Sequence, residues 1–157
     1  MTPPAVPSPE VYAAVATRRS QFDNLVWQVP VLSITAQAFL FTISLGPDTR
    51  PLGRVITCLL SLVVTFLTLQ IFTRHRQAEI TDAHWLEDYE QRHGISPGGH
   101  GLYWRSLRDR TSAEAGVFTA FARLRGFVTW AVGLSLFGLA SVVILVVTLV
   151  EPALLQK

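Results

Sequence analysis

The chain has 157 residues, half of them apolar and only 15% charged, with a mean hydropathy of +0.37; that balance lies outside the soluble globular range and points to an integral membrane protein. Thirteen basic and eleven acidic residues leave a net charge of +2, too mixed for the one-signed patch that a nucleic-acid interface requires. With a single cysteine, Cys58, no intramolecular disulfide can form.

Residues 1–9 hold four prolines and no periodic apolar pattern, which reads as a disordered tail. Ser8 can cap a helix with Pro9 at its first position and Glu10 in its first turn. Over 10–24, Val11, Val15, Phe22 and Val26 share one face, while Arg18 and Arg19 suit the headgroup level. This segment is expected to lie along the membrane surface. It leads into a first span at 25–45, with Trp27 at the interface. TRRSQF and Ala36-Gln37-Ala38 superficially resemble a twin-arginine signal and its cleavage site. The apolar run is broken by Trp27, Gln28 and Pro30 and continues past Ala38, as a retained span does. On this span Ser33, Gln37 and Ser44 share a face, and Gln28, Thr35 and Thr42 lie opposite. Two polar faces imply two protein neighbours, because a buried amide in lipid must find a partner.

The second span, 52–72, contains RVITCLLSLVVTFLTLQIF. At 100° per residue, Arg54, Thr57, Ser61, Thr65 and Thr68 fall in one narrow arc. Two readings are open. The hydroxyls can bond back to carbonyls one turn earlier and pack on a neighbouring helix. Alternatively, they line a wetted path in an oligomer, with Arg54 as a charged ring at the mouth and Phe72 as a constriction. The following TRHRQAEITDAHWLEDYEQRH has no Gly or Pro before Gly94, so the helix is expected to run on to about His93.

The loop GISPGGHG, 94–101, ends it. An amphipathic piece, LYWRSLRDR, comes next. Thr111 and Glu114 then have capping-box spacing, which predicts a third helix running without a break to Pro152. Its span is 127–150, followed by a C-terminal tail at 151–157. Small residues that permit close helix approach lie on two sides of this span: Ala131, Ser135 and Gly138 on one, Gly126, Gly133 and Ala140 on the other. The expected helix contacts are therefore Gln28, Ser33, Gln37, Gly133, Ser135 and Gly138. Together they exceed what three helices can use, which argues for a homo-oligomer. Residues 73–126 form the expected hairpin, with Trp85, Leu86 and Tyr89 facing Val117, Phe121 and Leu124. The fold class is thus all-α: three transmembrane helices, the second and third extended into a long antiparallel cytoplasmic hairpin.

Orientation follows from the basic residues. Ten lie in the N-terminal segment and the long segment between spans two and three, and three lie on the other side, Arg50, Arg54 and Lys157. Positive charge stays inside, which places the N-terminus in the cytoplasm, the C-terminus outside, and the chain in the inner (plasma) membrane.

No nucleotide loop or nucleophile elbow occurs. Glu90-x-x-His93 has the spacing of helical carboxylate-bridged metal sites, with His75 near Glu79 and Asp82, but such sites need a second motif and two further carboxylates. No catalytic residue, metal or other cofactor is expected. The reading is a non-enzymatic membrane homo-oligomer, a pore or membrane effector, with the bilayer and its own copies as partners. The alternative is an anchor or scaffold whose cytoplasmic hairpin binds another protein.

RRSQFDNLVWQVPVLSITAQAFLFTISL, residues 18–45, resembles the N-terminal signature of a group of small multi-pass actinobacterial membrane proteins, and RHRQAEITDAHWLEDYEQRHG resembles their central helix. That resemblance implies class and source rather than an activity. Spans feeding a helical hairpin are also similar in layout to SLATT-type effectors of bacterial conflict systems, which implies pore formation, although a third span departs from their two-span pattern.

Overall fold

The computed structural model describes residues 8–95, 98–111 and 124–151. Among them the fold is all-helical: α1 (Pro9–Ser44), α2 (Pro51–Arg92), α3 (Gly101–Thr111) and α4 (Gly126–Val150). α1, α2 and α4 are each long and apolar enough to cross a membrane. The chain divides into two compact units. Unit 1 comprises Met1–Leu25 and Arg74–Arg125, and unit 2 comprises Val26–Thr73 and Gly126–Lys157.

Two expectations change. The segment 10–24 is not a separate surface helix: α1 is one helix of 36 residues that runs through Pro30. Its first half packs on the second half of α2, because Tyr12, Arg18 and Arg19 find Glu90, Asp82 and Glu79 there. The third helix is not continuous from Thr111. Thr111 is the last described residue of α3, its hydroxyl bonding back to the Leu107 and Arg108 carbonyls, and Leu124 and Arg125 are non-helical before α4 starts. Glu114, the other half of the expected capping box, lies outside the described residues. α2 matches its expected course, opening at Pro51, where a missing N–H costs nothing, and running 42 residues to Arg92.

α2 stops by a complete Schellman motif. The Ile95 N–H donates to the Glu90 carbonyl at 3.0 Å and the Gly94 N–H to the Gln91 carbonyl at 3.2 Å. Gly94 takes φ 64° between them, a conformation that glycine adopts without strain.

In unit 2 the three apolar helices alternate in direction. Phe72 stacks on Phe127 with ring centroids 4.5 Å apart, and Phe41 meets Phe137 at 5.8 Å. Val26, Phe72 and Leu134 form the apolar core, with Val29, Ile34, Leu69, Phe127, Trp130 and Ala131 around it. Most of the other buried side chains of unit 2 are polar.

Candidate functional site

The stripe on α2 is the polar interior of unit 2. Arg54, Thr57, Ser61, Thr65 and Thr68 are all buried, none more than 8% exposed. The centre of the seam is Gln37 of α1, fully enclosed. Its amide nitrogen donates to the Ser61 carbonyl at 3.0 Å and to the Thr65 hydroxyl at 2.8 Å, and its amide oxygen accepts from the Ser61 hydroxyl. Ser61 has one proton to give, so it accepts from Ser141 of α4, whose oxygen lies 2.5 Å away. One turn further along α2, Thr68 donates to Ser33 at 3.0 Å. Thr57 behaves differently, bonding back to the Gly53 and Arg54 carbonyls at 2.9 and 3.0 Å.

Arg54 caps α1. Its Nε donates to the Ser44 carbonyl at 3.1 Å and Nη2 to the Gly46 carbonyl at 3.1 Å. α1 has no basic residue in its own last turn, and a guanidinium among its terminal carbonyls supplies the missing donors and complements the negative end of the helix dipole. The arrangement differs from one in which Arg54 rings a pore mouth and the hydroxyls line water. Both are turned inward, onto the same chain.

The expected helix contacts divide. Ser33 and Gln37 lie in the seam. So does Gly138, where an added Cβ would sit 3.0 Å from Thr65 Cγ2. Gln28 and Ser135 are exposed, and Ser135 satisfies its hydroxyl on the Ala131 carbonyl at 2.8 Å. Nothing lies within 4 Å of a Cβ added at Gly133. Thr35 and Thr42 likewise bond back to carbonyls of α1, the form in which a hydroxyl can face lipid. The buried face of α4 is instead Leu134, Gly138, Ser141 and Thr148. Of these, only Ser141 hydrogen-bonds to another helix among the described residues, and nothing in its local sequence distinguishes it from Ser135.

A second cluster organises unit 1 around Glu90, whose side chain is almost fully buried. Oε1 accepts from the Tyr12 hydroxyl at 2.8 Å, the Gly99 N–H at 3.2 Å and His100 Nδ1 at 2.6 Å. Oε2 accepts from the His100 N–H at 3.1 Å. An ionised carboxylate has no proton to give, so Nδ1 carries one. Burial pushes the Glu90 pKa up, but the hydrogen bonds from the His100 ring, from Tyr12 and from the His100 backbone, with the charge on His100, outweigh it. The carboxyl titrates below its usual range. Burial and the adjacent carboxylate push Tyr12 up to about 12. A Cβ at Gly98 would collide with Oε2, so the loop reaches the carboxylate only because that position is glycine. Tyr12 lies 4.9 Å from Tyr89, which is stacked between Trp85 and His93 at 5.6 and 4.0 Å.

The expected hairpin face is therefore partly re-partnered. Leu86 and Tyr89 are buried, and Tyr89 meets Tyr12 of α1. Leu124 is exposed, and Val117 and Phe121 lie outside the described residues. Glu90 and His93 do not converge: Glu90 turns to Tyr12 and the loop, and the His93 Nδ1 lies 2.8 Å from the Tyr89 carbonyl. Among the described residues no three His, Cys, Asp or Glu side chains are grouped to hold a metal ion. Arg18 grips Asp82 with two bonds, 2.9 and 2.6 Å, and Glu79 accepts from Arg19 at 3.0 Å and pairs with Arg76. The pairs between the two helices were not foreseen, because partners 60 and 64 positions apart leave no local pattern.

Comparison with known protein families, with characterised proteins and with solved structures finds no match to this chain.

Proposed function

We propose that the protein is a non-enzymatic, multi-pass membrane anchor or scaffold, whose three apolar helices hold unit 1 at the cytoplasmic face, where it engages another protein. The observation that carries this reading is the closed seam. A pore needs hydroxyls that meet water, and here Gln37, Ser61, Thr65, Thr68, Ser33 and Ser141 satisfy one another within one chain. The outer surface of unit 2 suits lipid, with Leu32, Phe39, Leu60, Val63, Phe66 and Leu139 at least half exposed. Thr35, Thr42 and Ser135, on the outer faces, bond to carbonyls of their own helices. The arginine asymmetry supports a cytoplasmic N-terminus and an inner-membrane location.

The test places single cysteines at Thr57, Ser61, Thr65 and Thr68 in a Cys58→Ser background and photo-crosslinkers at the exposed positions Thr81 and Asp88. The cysteines should resist small soluble thiol reagents, purified protein should not leak ions from liposomes, and the crosslinkers should capture one discrete non-self protein in cells. Labelled cysteines with ion flux would establish a pore instead. Adducts only with further copies of the chain would establish self-assembly.

A further inference from the structure

Arg74 follows the apolar stretch of α2 directly. About 30 Å of helix separates it from Arg54, the thickness of a hydrocarbon core, so with α2 spanning a bilayer Arg74 stands at headgroup depth. In unit 1 it lines an open groove of about 370 Å³ together with Gln77 and Asp82 of α2 and Arg18 and Phe22 of α1. Asp82 is the only acid in the groove, and Arg18 occupies both of its oxygens through Nε and Nη2. Glu79, further round α2, is shared by Arg19 and Arg76. Asp23 does not line the groove and makes no ion pair among the described residues. His75 rests on Phe22, with ring centroids 5.9 Å apart. The groove thus keeps one uncompensated positive charge: Arg74 is exposed and makes no ion pair among the described residues.

We propose that this groove binds the phosphate of an anionic phospholipid of the cytoplasmic leaflet. Arg74 is the principal contact, Arg18 Nη1 and the Gln77 amide are further donors, and Phe22 meets the glycerol end of the acyl chains. A guanidinium suits phosphate because its planar donors can form two parallel bonds, and anionic lipid is concentrated at the inner leaflet. The inference rests on the membrane-spanning reading, and the experiment separates the two. Insertion is first scored in purely phosphatidylcholine liposomes by resistance to alkaline extraction. Failure there sinks the spanning reading itself. Native mass spectrometry of the full chain, released from vesicles of mixed phosphatidylglycerol and phosphatidylcholine, then reads which lipid is retained. Phosphatidylglycerol should be retained preferentially, and Arg74→Gln should reduce that retention about fivefold. Arg50→Gln, which removes the same charge from the turn before α2, should leave it unchanged. Equal retention of both lipids, or equal effects of the two substitutions, overturns the proposal. Displacement of the lipid by millimolar inorganic phosphate would assign the groove to a soluble anion and overturn it as well.

Discussion

Gly138→Ala tests the register of α4 on α2 at one atom. The added methyl would lie 3.0 Å from Thr65 Cγ2, with Thr65 Cβ and Oγ1 next at 3.5 Å. Ordinary carbon contacts begin near 3.5 Å, so the two helices must part by about half an ångström or Thr65 must rotate. Rotation would break the bond that Thr65 accepts from Gln37. Overpacking of this kind costs about 1–3 kcal/mol. Thr65→Ser removes the offending methyl and keeps the hydroxyl for Gln37, so alone it should cost less than about 1 kcal/mol. Combined, the two changes should restore most of the loss, with a coupling of at least about 1 kcal/mol in the favourable direction. The assay is equilibrium unfolding in mixed micelles titrated with a denaturing detergent and followed by tryptophan emission. Strictly additive effects would refute the seam as described, and so would a neutral Gly138→Ala.

Three further outcomes are expected. Arg54→Leu strips donors from the Ser44 and Gly46 carbonyls and should cost about 1–3 kcal/mol, visible as faster amide exchange in the last turn of α1. The Glu90 carboxyl titrates below its usual range in the folded chain, so its contribution to unit 1 is present at neutral pH and is lost as pH falls through that depressed value. Circular dichroism should show acid loosening that Glu90→Gln makes smaller, and an unchanged acid response in that variant would refute the assignment. In intact cells lacking Cys58, an impermeant maleimide should label Asp48→Cys but not Thr81→Cys, and the reverse pattern would invert the topology.

Periodicity located the stripe and the two outer ends of α2, because an uninterrupted helical pattern and a glycine stop are local properties. The stripe's partner was less legible. Spacing shows that Thr57, Ser61, Thr65 and Thr68 share a face, but only the fold supplies Gln37 and Ser141 to meet it. Ser135 and Ser141 illustrate the difficulty: both are serines on an apolar helix, and both can bond to the carbonyl four residues back. Only the second also faces another helix. Likewise, the basic residues of α1 read as headgroup anchors until α2 is seen to bring Glu79 and Asp82 against them. A hydroxyl that bonds to its own helix needs no other subunit, so a count of polar faces does not fix the number of neighbours.

The bond from Arg54 to the end of α1 spans only eight to ten residues of chain, and that short reach bears on the order of synthesis. The first two helices can lock at their common turn while the rest of the polypeptide is still on the ribosome. Gln37 then meets Ser61 and Thr65 across 24 and 28 residues, so the amide and hydroxyls inside the pair already have partners. Ser141 joins across 80 residues, arriving last at a surface whose polar groups are already matched. The nascent protein therefore need not hold an unsatisfied buried amide while it waits for its final helix.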